Sequence, residues 1–310
     1  MFTLHSFIFH FSLFHFSLFT PSFFTLHSFT FHFFLYFCSM NHMQRLLSVY
    51  PQREARALYM LVMEVAFGLT PTQVLTGKDN ELSSDKQALL QNIIDRLLRK
   101  EPVQYILGQA DFCGHTFLVA PGVLIPRPET EGLVRLIGQQ CATPCTVLDI
   151  GTGSGCIAVS LALMGHKVTA MDVSADALGI ARENAERLQA NVDFLQEDIL
   201  HPTPTQQQWD VIVSNPPYIC QKEAAQMDSN VLDYEPHLAL FVPDDNPLLF
   251  YRAIAQYAAG HLTANGRLFF EINQAYPSDT ATLLEQTGFC QAEVHTDCFD
   301  KPRFISAIKA

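Results

Sequence analysis

The chain has 310 residues, with 31 acidic against 19 basic side chains and a net charge of −12 at pH 7. This length fits about two domains with a substantial buried core. The acidic balance disfavours a protein whose main partner is a phosphate backbone, so we expect no stable binding of nucleic acid. The eight cysteines show no Cys-x-x-Cys pair and no zinc-type spacing with histidine, which predicts reduced thiols, no metal site and a cytoplasmic protein.

Residues 1–42 differ in composition from the rest of the chain. Near-repeats of Phe, His, Ser, Leu and Thr run through them, with no Asp, Glu, Lys or Arg. The basic region and small-residue cleavage site of a secretory signal are missing. Hydropathy allows a membrane span, but the recurrent His and Ser disfavour a lipid-facing helix. We interpret this low-complexity segment as translated upstream or disordered sequence, with the functional chain starting at Met40 or Met43 and no membrane association.

Residues 43–102 are predicted to form a small helical domain. The stretch from Gln52 to Phe67 places apolar residues at helical spacing, and Thr70-Pro71 is typical of a cap followed by proline at the first helical position. A further helix follows, with apolar pairs every four residues. No residue here suggests catalysis, so the domain either only packs or grips a macromolecular substrate.

Residues 103–125 are predicted to be a β-hairpin linker, from the β-type runs Tyr105-Ile106-Leu107 and Thr116–Val119. The next stretch, residues 125–131, reads Ile-Pro-Arg-Pro-Glu-Thr-Glu, in which prolines stiffen the entry to a helix. Arg127 and Glu129 are unusual at such a junction. They either line a substrate cleft or serve only as a helix start.

A glycine turn follows the first strand of the remaining domain. Residues 146–150 form an apolar run that leads into Gly151-Thr152-Gly153-Ser154-Gly155, before a helix that begins at Cys156. Such a turn lets the backbone approach a ligand closely. A dinucleotide fingerprint would require a third glycine at position 156, so the turn departs from that pattern. The second strand ends in Asp172, where a carboxylate can accept both ribose hydroxyls and disfavours a phosphate.

The next two strands also end in polar residues. The third strand, residues 191–195, precedes Asp198 and Ile199, which can take an adenine amino group and pack on its ring. The fourth, residues 209–214, precedes Asn215. Alternating strands and helices predict an α/β fold with a doubly wound, mostly parallel sheet, in which ligands lie at the carboxyl ends of the strands. The polar residues all fall at these ends.

The Asn215-Pro216-Pro217-Tyr218 loop is the candidate reaction site. The two prolines fix φ and remove two N–H donors, so the loop is stiff. The side-chain oxygen of Asn215 and the carbonyl of Pro216 offer two acceptors for one –NH2 group, and Tyr218 can lie against a flat substrate. This arrangement predicts methyl transfer to a planar amide or aromatic amine without a metal or a covalent nucleophile. The alternative is a plain turn after a buried strand.

Residues 43–310 resemble the protein-(glutamine-N5) methyltransferases of the HemK/PrmC type, which modify peptide chain release factors. The resemblance rests on five blocks in order: residues 101–108, 124–131, 149–155 and 215–219, and Glu235-Pro236 followed by Ala239-Leu240. It implies a seven-stranded Rossmann-like sheet over residues 126–310, S-adenosylmethionine as cofactor, and the glutamine of the Gly-Gly-Gln loop of bacterial class 1 release factors as substrate. The helical domain would contact the factor outside that loop, and the enzyme is expected to be a monomer.

The resemblance also implies roles for individual residues. The implied cofactor contacts are Gly151, Thr152, Gly153, Ser154, Gly155, Asp172, Asp198, Ile199 and Asn215. The implied catalytic and substrate contacts are Asn215, Pro216, Pro217 and Tyr218, with Arg127 and Glu129 at the cleft.

The chain departs from the family pattern at three points. Glu271-Ile272-Asn273 stands where Glu-Ile-Gly is usual, the glutamine expected shortly after is not at its usual spacing, and Cys113 stands where an aromatic residue is common. Asn replaces Gly best at positive φ, so we expect the turn at Asn273 to survive and these departures not to touch the chemistry.

Three other functions use parts of the same pattern. They are a nucleic-acid amine methyltransferase, which the acidic charge disfavours, a binding protein that keeps the cofactor pocket but does no chemistry, and a dinucleotide-dependent oxidoreductase, which Cys156 disfavours.

Overall fold

The computed structural model describes residues 42–297 and 299–310. The predicted N-terminal extension therefore lies outside the described residues, apart from His42. The chain divides into two compact units that meet in sequence between Leu98 and Arg99. Among the described residues, none of the helices has the length and apolar character that crossing a membrane requires.

The first unit is helical, as predicted. Its main helices are α1 (Gln52–Phe67), α2 (Pro71–Leu75) and α3 (Ser84–Leu98). The predicted cap at Thr70 is confirmed, because the Thr70 side chain accepts a hydrogen bond from the Gln73 backbone and the Gln73 side chain accepts one from the Thr70 backbone. Val62 and Ile94 are fully buried, so the apolar faces of α1 and α3 supply the core of this unit.

The second unit begins with helix α4 (Val103–Leu107), followed by the antiparallel hairpin of β1 (Gln109–Phe112) and β2 (His115–Leu118). The strand predicted at Tyr105-Ile106-Leu107 is therefore wrong. Pro102 caps the start of α4 and Gly108, at φ 72°, ends it. By sequence alone, the short apolar run fits a helix or a strand equally well. In the helix, the side chain of Tyr105 is buried and its hydroxyl donates to the Val123 carbonyl at 2.5 Å.

A seven-stranded sheet forms the centre of the second unit. The strands from β3 onward are β3 (Thr146–Ile150), β4 (Lys167–Asp172), β5 (Val192–Gln196), β6 (Trp209–Ser214), β7 (Ile219–Cys220), β8 (Phe241–Val242), β9 (Leu262–Glu271), β10 (Phe289–Thr296) and β11 (Pro302–Lys309). The strand order in the large sheet is β10-β11-β9-β6-β3-β4-β5. β7 and β8 form a separate short pair. In the large sheet only β11 runs antiparallel to its two neighbours. The predicted doubly wound, mostly parallel sheet is confirmed.

Helices cover both faces of this sheet. They are α5 (Glu131–Gln140), α6 (Cys156–Leu163), α7 (Ala175–Arg187), α9 (Leu249–His261) and α10 (Pro277–Gln286), whereas the short helix α8 (Ser229–Tyr234) between β7 and β8 buries none of its residues. Successive strand residues point to opposite faces, so Val147 belongs to one hydrophobic core and Leu148 to the other. Both faces are thus buried, which explains why the strands read as continuous apolar runs.

The strand order places a topological switch between β3 and β6. From β3 the chain proceeds to β4 and β5 on one side, then returns to β6 on the other side. Connections that leave in opposite directions open a crevice at the carboxyl ends of the two strands. The glycine turn follows β3 and the Asn215 loop follows β6, so the fold brings these two segments to the same crevice.

Candidate active site

Two cavities meet at the Asn215 loop. The cofactor-side cavity, of about 280 Å³, is bordered by the glycine turn and the ends of β4 and β6. The substrate-side cavity, of about 330 Å³, lies beyond the loop and reaches the ends of β9 and β11. The residues that line both cavities are Leu124, Asn215, Pro216 and Ala239. A molecule in one cavity therefore faces a molecule in the other across Asn215 and Pro216.

The glycine turn forms an open cradle at the cofactor-side cavity. Gly151 and Gly153 line this cavity at φ 74° and 56°, and a Cβ added to either would meet no atom within 4 Å. The backbone N–H groups of Gly151 and Thr152 donate to the Met171 carbonyl at 2.8 and 3.0 Å, which holds the turn against β4. The space that side chains would fill is therefore left for a ligand.

Three other residues of the turn do not line the cavity but support it. The Thr152 hydroxyl donates to Asp149 Oδ2 at 2.6 Å, and the Ser154 carbonyl accepts from Asn184 Nδ2 at 2.9 Å. A Cβ on Gly155 would lie 2.9 Å from the Cβ of Ala181, so this glycine allows close packing against α7. The structure therefore brings only Gly151 and Gly153 of the five turn residues to the cavity wall.

Asp172 lies at the tip of β4 with its carboxylate held by the backbone. Oδ2 accepts from the Gly153 N–H and Oδ1 from the Ser174 N–H, both at 2.9 Å. Burial raises the pKa of this carboxyl above its usual value, against the effect of these hydrogen bonds. Each of the two oxygens can accept a second hydrogen bond, and Asp172 lines the cavity, so the carboxylate can accept from the two hydroxyls of a ribose.

The far wall of the cofactor-side cavity contains Asp198 and Ile199. The Asp198 carboxylate accepts from the Leu200 N–H at 2.9 Å and lies 3.0 Å from His201 Nδ1, and the hydrogen bond with His201 is the main cause that lowers its pKa. Met171 and Phe250 add apolar surface to the same cavity. An apolar slot edged by one acceptor fits a flat heterocycle with an amino group. The residues present therefore fit an adenosine-containing cofactor.

The structure places Arg127 and Glu129 in the lining of the substrate-side cavity. Arg127 Nη2 pairs with Glu235 Oε1 at 2.5 Å, and the Glu235 side chain is only 1% exposed. Glu235 also accepts from the Ile125 N–H at 3.2 Å. A buried carboxylate thus anchors the Arg127 guanidinium, while the 34% exposure of the Arg127 side chain leaves part of it open to the cavity.

A buried hydrogen-bond chain lies under the Asn215 loop. Asn215 Nδ2 is 3.5 Å from Thr130 Oγ1, which donates to Glu271 Oε2 at 2.6 Å. The Tyr218 hydroxyl donates to the other oxygen, Oε1, at 3.0 Å. Glu271 is buried, and this burial raises the pKa of its carboxyl. Sequence reasoning missed both Thr130 and Glu271, although Glu271 ends an apolar parallel strand as Asp172 does.

Asn273 occupies the position where the family pattern has a glycine. Its φ is not positive, so tolerance of positive φ does not explain an asparagine at this position. Its Nδ2 instead donates to the Tyr218 carbonyl at 3.0 Å and to the Glu223 carboxylate at 3.1 Å. Asn273 therefore contacts the backbone of Tyr218, a contact that the sequence did not indicate.

No cluster of three or more His, Cys, Asp or Glu side chains suited to a metal ion occurs within residues 42–297 and 299–310. The groups that meet at the two cavities are amide, hydroxyl, carboxylate and guanidinium groups on a largely apolar wall. Such groups bind and orient ligands.

Comparison with known proteins agrees with this arrangement. The family model of the methyltransferase small domain matches residues 129–232, and that of the PrmC N-terminal domain matches residues 40–108. Release factor glutamine methyltransferase of Bacteroides thetaiotaomicron is 49% identical over 85% of this chain and 96% of its own length. The enzymes of that name from Flavobacterium psychrophilum and Lactococcus lactis are 39% and 41% identical, over 84% and 73% of this chain and 94% and 84% of their own lengths. The chain belongs to the family of release factor glutamine methyltransferases, which confirms the resemblance found in the sequence.

Proposed function

We propose that this protein transfers a methyl group from S-adenosylmethionine to the side-chain amide nitrogen, N5, of the glutamine in the Gly-Gly-Gln motif of bacterial class 1 release factors. The observation that carries this proposal is the meeting of two cavities at Asn215 and Pro216. The membership of the chain in the family supports the choice of substrate. We further propose a cytoplasmic monomer, with a helical domain over residues 43–102, a linker over 103–125 and a methyltransferase domain over 126–310.

The cofactor-side cavity holds the methyl donor in this proposal. S-adenosylmethionine supplies an electrophilic methyl group on a sulfonium centre. The open backbone at Gly151 and Gly153 would contact its methionine part, Asp172 the ribose hydroxyls, and Asp198 with Ile199 the adenine. Thr152, Ser154 and Gly155 would act by holding the turn in shape.

The substrate-side cavity holds the glutamine side chain. The Asn215 oxygen and the Pro216 carbonyl accept the two N–H donors of the substrate amide, while Pro217 keeps the loop stiff and the ring of Tyr218 packs on the amide plane. Arg127 and Glu129 contact the neighbouring residues of the motif. A delocalised amide is a poor nucleophile, so positioning supplies most of the effect, roughly 7–11 kcal/mol for well-oriented reactants.

Transfer of labelled methyl groups tests the proposed substrate. The full chain is incubated with labelled S-adenosylmethionine and, separately, a release factor, the same factor with the motif glutamine replaced by alanine, DNA, and ribosomal RNA. We expect label on the parent factor alone. Label on DNA or RNA would show that the loop binds a planar amine but that the substrate is a nucleic acid.

Two substitutions separate the roles of the two cavities. We expect Asn215→Ala to lower kcat by about 10²–10³-fold, as loss of a well-placed polar contact does, with the Kd for S-adenosylmethionine within about twofold of the parent. We expect Asp172→Ala to weaken cofactor binding by about 10–100-fold, because two ribose hydroxyls lose a charged acceptor. Calorimetry and initial rates measure both effects.

Asp176→Ala is the matched control for Asp172→Ala, since Asp176 lies exposed in the first turn of α7. It should bind the cofactor as the parent does. Methyl transfer by Asn215→Ala at the parent rate would show that the amide is not held as proposed.

A further inference from the structure

In the hydrogen-bond chain beneath the Asn215 loop, each donor and acceptor is fixed by its neighbours, and this decides which atom of the Asn215 amide can meet the substrate. We infer that Thr130 and Glu271 are positioning residues that set the orientation of the Asn215 side-chain amide, so that its oxygen and not its nitrogen faces the substrate-side cavity. This inference deepens the proposed function, on which it rests, and concerns residues that lie at the ends of different elements.

The direction follows from the acceptors and donors available. An ionised carboxylate only accepts hydrogen bonds, so both hydroxyls at Glu271 must donate to it: Thr130 at 2.6 Å and Tyr218 at 3.0 Å. Burial raises the pKa of Glu271, whereas the hydrogen bonds from Thr130 and Tyr218 and the charge of Arg303, which lines the same cavity, favour its ionised form. Thr130 has only one hydroxyl hydrogen, and it is used toward Glu271.

Thr130 can therefore offer only lone pairs to its other neighbour. That neighbour is the Asn215 side chain, whose Nδ2 lies 3.5 Å from Thr130 Oγ1. An amide nitrogen donates and an amide oxygen accepts, so the nitrogen of Asn215 is the atom that fits beside Thr130. With Nδ2 turned toward Thr130, Oδ1 turns away from it.

The orientation matters because an Asn side chain is almost symmetric in shape. A flipped Asn215 would present two N–H donors to the –NH2 group of the substrate, which also donates, and the pair would repel. Burial strengthens the hydrogen bonds that orient Asn215. Thr130 and Glu271 are both 2% exposed, and hydrogen bonds between groups shielded from water are stronger. The chain thus selects the amide rotamer that accepts from the substrate nitrogen.

Substitution of Thr130 tests the inference with little change in volume. Thr130→Val removes the hydroxyl, whereas Thr130→Ser keeps it. We expect Thr130→Val to lower kcat at least 10-fold with the Kd for S-adenosylmethionine within about twofold, and Thr130→Ser to restore kcat to within about threefold of the parent. Thr280→Val is the matched control, because Thr280 is also buried and its hydroxyl donates to the Tyr276 carbonyl at 2.8 Å, outside both cavities. It should lower Tm but leave kcat unchanged.

Glu271→Met provides a second variant if Thr130→Val does not fold. Methionine has a similar length but no oxygen to accept a hydrogen bond, so the Thr130 hydroxyl is no longer held toward position 271, and kcat should fall while cofactor binding is kept. A parent-like kcat in Thr130→Val or in Glu271→Met would overturn the inference. Equal losses in Thr130→Val and Thr130→Ser would overturn it as well.

A measurement without turnover separates this inference from the proposed function. The side-chain amide resonances of Asn215 in ¹⁵N-labelled protein, assigned by their loss in Asn215→Asp, should keep their parent positions in Thr130→Ser. They should move or double in Thr130→Val. Unchanged resonances in Thr130→Val would contradict the inference even if the parent methylates release factor. A parent that methylates no release factor would refute the proposed function and leave the resonance test valid.

Discussion

At the scale of single residues, the raised pKa of Asp149 predicts that the stability of the fold depends on pH. This carboxyl lies within β3, is fully buried and accepts a hydrogen bond from Thr152 at 2.6 Å. Burial, with a smaller contribution from the charge of Asp172, raises its pKa from 3.8 to about 7. The folded chain therefore holds a proton that the unfolded chain releases between these values. The contribution of Asp149 to the free energy of unfolding falls as pH rises toward 7 and is constant above it.

Asp149→Asn should remove this dependence. Relative to the parent, the variant is expected to gain unfolding free energy on the order of 3 kcal/mol between pH 5 and 8, from about two pKa units of lost proton linkage. Urea unfolding across this range measures the difference. Asp210→Asn is the control, because hydrogen bonds from Thr146 lower the pKa of Asp210 and its titration lies below this range. If the difference in unfolding free energy between Asp149→Asn and the parent does not change between pH 5 and 8, the pKa of Asp149 is not raised.

The residues of the site differ in how far sequence could predict them. Asp172, Asp198 and Asn215 each end or follow a strand, and the fold sends such positions to one edge of the sheet, so their grouping was predictable. Thr130 and Asn273 were not, because their partners Glu271 and Tyr218 are 141 and 55 residues away in sequence. No local pattern encodes such a pairing.

At the scale of elements, the glycine turn depends on close contact between the start of α6 and α7. A Cβ on Gly155 would lie 2.9 Å from the Ala181 Cβ and 3.2 Å from its Cα. We expect Gly155→Ala to lower the free energy of unfolding by about 1–3 kcal/mol through overpacking, in addition to the cost of its φ of 80°.

Gly165→Ala isolates the packing contribution. Gly165 also has positive φ, 96°, but a Cβ there would meet no atom within 4 Å. Urea unfolding should therefore show a larger loss for Gly155→Ala than for Gly165→Ala, and Ala181→Gly should recover part of it in the double variant. Equal losses at the two glycines would show that backbone strain alone limits the turn.

Helices and strands were predictable where the apolar pattern was long or where capping residues marked the ends of an element. The 16-residue helix α1 was found from its periodicity, and β6 from its apolar run. The five-residue helix α4 was missed, because Tyr105-Ile106-Leu107 is too short for its period to distinguish a helix from a strand. Tertiary burial of Tyr105, which local sequence does not show, decided between them.

At the scale of the whole molecule, the helical unit is the part whose role the reaction site does not explain. It carries apolar side chains that it does not bury: Leu75 is 67% exposed and Leu89 is 47% exposed. Single exposed leucines are common on protein surfaces, but these two lie on the unit that the family resemblance expects to contact the release factor. We propose that they contact the release factor outside the Gly-Gly-Gln loop, so they should affect binding of the whole factor and not of the loop alone.

Comparing two substrates with the full chain tests this division of roles. Leu75→Ser and Leu89→Ser should each raise the KM for an intact release factor by about 10-fold, since burying one leucine contributes about 1.5–3 kcal/mol when complete. The KM for a short Gly-Gly-Gln peptide and both kcat values should stay within about twofold of the parent. Met164→Ser, a change at an apolar residue 50% exposed at the end of α6, should alter neither KM. Equal KM changes for factor and peptide, or none for either, would exclude these leucines as the docking surface, because only contacts beyond the loop distinguish the two substrates.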